Sequence, residues 1–172
     1  MAWPLEVVGW SAERMPGICR WQLGVARAAI SSGSRPAAWI EVWKLAALHR
    51  LLEEQDPPAA ARCRSPMLEL VTDMARALHA GLPGCSAYRD VREEARWATV
   101  LYDEVLRIAP RSRLRHDRAR LLHWIARREP TPARWQRAAR AYLDTLLHRP
   151  FDGRAGEALL GAIECWLRVD PR

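Results

Sequence analysis

The chain reads as an all-α protein of about seven antiparallel helices, stacked as helical hairpins or gathered in an irregular bundle. Three observations carry that expectation. Apolar residues recur at intervals of three and four, while period-two alternation is nearly absent. Several segments open with an N-cap residue followed by proline in the first turn, where its missing N–H costs nothing. Glycine or proline closes them. Connections are too short for crossovers, so successive helices should lie antiparallel.

The predicted helices are 17–32, 36–55, 66–80, 87–109, 112–128, 132–149 and 154–169. Residues 1–16 precede them as an arm, irregular, with a short extra turn, or briefly extended over WPLEVVGW. Gly33 ends the first helix, and Ser34 with Pro36 opens the second. The second carries Trp39, Ile40, Val42, Trp43, Leu45 and Leu48 with little polar face, so it is expected to be the most enclosed. QDPPAAARCRS, residues 55–65, is the longest break and a candidate sub-boundary in a single domain. Ser65, Pro66 and Glu69 open the third helix, and Gly81 closes it. In the fourth, Val91, Ala95, Ala98, Tyr102 and Val105 form one apolar stripe, with Arg89, Arg92, Glu93, Arg96, Asp103 and Glu104 largely on a solvated side. Beyond Pro110, the fifth sets Leu114, Leu121, Leu122 and Ile125 on an apolar strip. Arg113, Arg120 and Arg127 share a polar strip at intervals of seven. Thr131 and Pro132 open the sixth, where Trp135, Ala138, Ala139, Tyr142 and Leu146 line one side and Arg134 and Arg137 another, with Arg140 nearby. After Pro150, FDGRAGEALLG reads as a turn entering the seventh.

One spacing occurs twice. Ala98, Tyr102, Val105 and Pro110 stand 4, 3 and 5 residues apart, and so do Ala138, Tyr142, Thr145 and Pro150. A looser copy follows in Leu159, Ile163, Trp166 and Pro171. This pattern resembles the second helix of a tetratricopeptide repeat: a small residue admits the paired helix, an aromatic fills the groove and proline ends the turn. The resemblance covers about 40 of the 172 residues and lacks the first-helix signature. It implies stacked helical hairpins of that kind; otherwise a plain bundle is expected.

A chain of 172 residues can bury one sizeable core without metal or disulfide staples. Its net charge is +7, yet residues 111–140 alone hold ten arginines against Asp117 and Glu129. Such a block attracts phosphate, anionic lipid or an acidic protein face. The wider excess of Arg over Lys, with no Asn, fits a GC-rich, presumed bacterial genome, which weakens any reading of each Arg as selected for binding. Cys19, Cys63, Cys85 and Cys165 form no C-x-x-C pair, so reduced thiols are expected. No leader-like run or membrane span is read, and a cytoplasmic location is expected.

No catalytic or cofactor motif stands out, and no enzyme, cofactor or metal site is expected. His116 and His123 lie two turns apart, too far to share a metal alone. The tryptophans at positions 39, 43, 97, 124, 135 and 166 fit helix faces and are expected in the core. Trp3 and Trp10, in the arm, are candidate anchors for a partner's groove. The candidate partner-binding residues are therefore Arg113, Arg120, Arg127, Arg134, Arg137 and Arg140, with Trp3 and Trp10. Together they point to a non-enzymatic protein–protein interaction module, an adaptor or chaperone-like scaffold holding a peptide or helix of an acidic partner. The alternative is a basic helical domain that binds nucleic acid through the arginine face of 111–140.

Overall fold

A computed structural model describes residues 15–84, 88–110, 113–148 and 153–169. Those residues form α1 (Met15–Ser31), α2 (Arg35–Gln55), α3 (Pro57–Gly81), α4 (Tyr88–Ile108), α5 (Leu114–Arg128), α6 (Pro132–His148) and α7 (Ala155–Val169), with no strand among them. The all-α expectation holds. Trp3, Trp10 and the rest of the arm as far as residue 14 lie outside the described residues. Two compact units divide the chain, Met1–Val71 and Thr72–Arg172, and the division falls within α3.

The stretch read as a break is helix. Asp56 closes α2, its N–H donating to the Leu52 carbonyl at 2.8 Å. It also opens α3, its Oδ1 accepting the Ala59 N–H at 3.0 Å. Pro57 and Pro58 thus occupy the first turn, where proline is tolerated, and DPP is a helix start rather than a linker. Consequently Ser65 and Pro66 are interior to α3 rather than its N-terminus. Gly33 adopts φ +77, the left-handed value a glycine stop needs, whereas Pro150 and Pro171 lie outside the described residues. Thr131 Oγ1 accepts the Arg134 N–H at 3.2 Å. Ser34 has extended backbone at the N-cap of α2 but makes no side-chain cap bond.

In the first unit α1 packs on α2, and Gln22 Nε2 donates to both the Glu41 carbonyl, at 3.1 Å, and its carboxylate, at 2.8 Å. α2 buries Ala38, Val42, Leu45, Ala46, His49 and Leu52 on one side. It is not enclosed all round. Ile40 is exposed, and Trp39 and Trp43 stack on each other half-buried, with the Arg50 guanidinium over Trp43. Stacking and cation–π contact give these indoles partners short of full burial.

In the second unit, ion pairs fix the helix directions. Arg92, early in α4, meets Glu129 just beyond α5, whereas Asp103, late in α4, meets Arg118 early in α5. α4 and α5 are therefore antiparallel. Arg115 near the start of α5 pairs with Asp144 near the end of α6, so those two are antiparallel as well. His116 faces Glu157 and Arg127 faces Glu164, which sets α7 parallel to α5. The core among α5, α6 and α7 is built on Leu122, Trp135 and Tyr142 with many alanines, whose size permits close helix approach. Gly161 is needed there, because a Cβ on it would meet the Tyr142 ring at 2.6 Å.

Three further expectations are corrected. Glu104 is buried, not solvated, and receives Nε and Nη2 of Arg107 at 3.0–3.3 Å. Of the six helical tryptophans expected in the core, only Trp135 is buried; Trp39, Trp43, Trp97 and Trp124 are half-buried and Trp166 is exposed. On α7 the small residues Ala158, Gly161, Ala162 and Cys165 go inside, while Leu159, Ile163 and Trp166 face outward. The close approach demanded by Tyr142 selects the small face.

Candidate interaction groove

A groove of about 590 Å³ lies in the second unit among α4, α5 and α6. Val100, Leu122 and Ile125 give it an apolar floor, and Arg92, Arg96, Arg134 and Arg137 line its walls with Glu93, Thr99 and Asp103. The amphipathic register of α4 explains the arrangement: Ala95, Ala98 and Tyr102 turn inward, which leaves Arg92, Arg96, Val100 and Asp103 on the side toward the groove. Arg134 and Arg137, three residues apart, share a flank of α6.

Two shared acids pair with three of these arginines, Arg92 and Arg137 the more loosely. Glu129 stands between Arg134, in close ion pair, and Arg92, whose Nε is 3.7 Å away. Arg134 Nη1 also donates to the Glu129 carbonyl at 2.9 Å. Asp103 stands between Arg118, in close ion pair, and Arg137 at 3.9 Å. Arg96 makes no ion pair among the described residues. Arg92 and Arg137 are more than half exposed, and pairs of such exposure and length contribute roughly 0 to 1 kcal/mol. They can turn to an incoming carboxylate at little cost.

The predicted arginine face is thus divided. Arg134 and Arg137 enter the groove; Arg127 instead pairs with Glu164, whose carboxyl its guanidinium holds below the ordinary range. Arg113, Arg120 and Arg140 are exposed and make no ion pair among the described residues. For Arg92 and Arg96 the sequence predicts only a solvated side of α4. Their spacing with Val100 signals a shared face of α4, but not which neighbour meets it.

A second polar cluster lies in the core. The His116 and His123 rings pack edge-on to Tyr142, with centroids 6.0 and 5.8 Å away. His123 Nδ1 is 3.2 Å from the Tyr142 hydroxyl, and Glu164 is 3.5 Å from Nε2. That carboxylate contact lacks hydrogen-bond alignment, and which of ring and phenol donates in the Nδ1–hydroxyl bond depends on the histidine tautomer. Glu157 comes within 3.2 Å of His116 Nε2 without hydrogen-bond alignment. Burial lowers the pKa of both histidines and pushes Tyr142 up to about 12. Neutral rings therefore fill the space, and the same device recurs where His79 Nδ1 meets the Tyr102 hydroxyl at 3.1 Å. Among the described residues no three His, Cys, Asp or Glu side chains converge as metal ligands, and no helix is long and apolar enough to cross a membrane.

No family model matches the chain, and no curated protein or solved structure matches it.

Proposed function

We propose that the chain is a non-enzymatic protein–protein interaction module, an adaptor or chaperone-like scaffold, whose α4–α5–α6 groove takes an acidic segment of a partner protein. The observation that carries this reading is the groove itself, in which four arginines surround a floor of Val100, Leu122 and Ile125. Guanidinium forks suit carboxylates, and an apolar floor gives the backbone and side chains of a peptide a surface to cover. The Arg-rich wall selects acidic sequences and speeds encounter, while the floor supplies affinity. The proposed setting is the cytoplasm of a bacterium, in keeping with the free, buried thiols of Cys19, Cys63 and Cys165.

For nucleic acid the same surface is poorly equipped. Trp135 is buried and Trp124 lies under the Arg128 guanidinium, so neither indole stands open as a platform for a base. Fluorescence anisotropy with a labelled Glu-rich peptide containing two or three leucines tests the reading, against a labelled single-stranded DNA of equal charge. The peptide should bind, more weakly as salt rises, and should lose at least about tenfold in affinity when Arg92, Arg96 and Arg137 are all changed to Glu. Tighter binding of DNA, or peptide binding indifferent to the reversal, would overturn it.

A further inference from the structure

The outer face of α7 is apolar along its whole length. Leu160, Ile163 and Leu167 are spaced three and four apart, as along a coiled-coil seam, and Leu159 and Trp166 flank them seven apart. All five are between 41% and 70% exposed. The opposite face, Ala158, Gly161, Ala162 and Cys165, is already buried. An amphipathic helix at a surface turns its polar side to water, whereas α7 presents a second apolar side there. Leu143 and Leu147 on α6 add further exposed apolar surface.

We infer that a second copy of this chain covers this face, pairing α7 with α7 antiparallel about a two-fold axis near Ile163. Area, charge and register each point to it. At roughly 200 Å² for a large side chain, the exposed fractions on α7 leave on the order of 550 Å² of apolar surface. A stable interface takes about 800 Å² per partner, of which roughly 56–65% is apolar. The face therefore supplies about the apolar share that one protomer contributes. It also carries no formal charge. Glu157, Glu164 and Arg168 lie on the flank around the helix from Ile163, and Glu157 and Glu164 already face His116, His123 and Arg127 on α5. Two identical uncharged faces meet without like-charge repulsion, and nothing on this one selects a charged stranger. A two-fold axis at Ile163 brings Leu159 of each copy beside Trp166 of the other, and Leu160 beside Leu167. Large and smaller side chains then alternate along a closed, isologous interface.

This face is separate from the groove, which residues of α4, α5 and α6 line. Sedimentation equilibrium of the full chain at about 1 to 100 μM should give twice the 19.6 kDa chain mass. Changing Leu160 and Leu167 to Glu should give the single mass with an unaltered helical circular dichroism spectrum. Should that pair of changes impair folding, Ile163→Cys offers a milder probe. A short bismaleimide should link Ile163→Cys chains into covalent dimers far faster than it links the unchanged protein, which carries the same native cysteines. A monomer throughout that range, a dimer that survives both glutamates, or crosslinking no faster than in the unchanged protein would overturn the pairing. A monomer that instead binds an unrelated amphipathic helix on α7 would assign the face to a different occupant, and would overturn it too.

Discussion

Glu129 shows how single residues set the state of the groove. One carboxylate is shared by Arg92 and Arg134, and the same economy recurs at Asp103 with Arg118 and Arg137, and at Asp117 with Arg76 and Arg154. Changing Glu129 to Gln removes the internal competitor of two groove arginines. The Arg92 pair is the exposed one and is worth at most about 1 kcal/mol, so an acidic peptide should bind roughly two- to fivefold tighter in the anisotropy assay; weaker binding would mean that Glu129 positions the arginines. Gly161 sets a different limit. Alanine is the better helix former by about 1 kcal/mol, yet its Cβ would meet the Tyr142 ring at 2.6 Å. The ring is tied to His123, and overpacking costs about 1 to 3 kcal/mol. The clash should win, so Gly161→Ala should lower the urea midpoint. Tyr142→Phe should also lower it, by leaving His123 Nδ1 without its phenol at a cost of about 1 to 3 kcal/mol.

At the scale of elements, caps decide where helices begin. Asp56→Ala removes the acceptor for the Ala59 N–H and should cost about 0.5 to 2 kcal/mol, read as a drop in thermal midpoint. Asp56→Asn should restore most of it, since Asn caps nearly as well. Two prolines after an acid look like a linker when counted as breakers, although a capped first turn is one of the few places that accepts them. Stripes of one kind were legible: Val91, Ala95, Ala98, Tyr102 and Val105 are all buried, and Arg113, Arg120 and Arg127 all reach solvent. Where a helix is apolar on two sides, periodicity cannot choose. α7 turns its alanines and Gly161 inward because Tyr142 needs room, a fact held by α6 and absent from the α7 sequence. For the same reason Arg134 and Arg137 were legible as a pair, while their convergence with Arg92 and Arg96 depends on how α4 meets α5.

For the whole molecule, buried titratable groups predict a stability that falls on both sides of neutrality. Desolvation lowers the pKa of His79, His116 and His123 in the folded state from an ordinary 6.5. The unfolded chain then binds protons first as pH drops, so the contribution of these rings is complete above about 6.5 and is lost below it. Arg127 and Lys44 hold the carboxyls of Glu164 and Glu41 below their ordinary 4.5. That contribution is lost only at lower pH, as the solution falls below 4.5. On the alkaline side burial pushes the Cys19 thiol from 9.0 to about 12 and the Cys165 thiol to about 11. Groups raised in this way stabilise fully below the unfolded value and lose their contribution as pH rises from 9 toward those figures. Under reducing conditions the thermal midpoint should therefore be flat from about pH 7 to 8.5, fall as the pH drops below about 6.5, and fall again above 9. His116→Gln with His123→Gln should lower the plateau and flatten the first acid step, while leaving the steps below 4.5 and above 9 in place. An acid step unchanged in that variant would trace the loss to groups other than the two rings around Tyr142. A midpoint already flat from pH 7.5 to 5 in the unaltered protein would mean that those rings meet water.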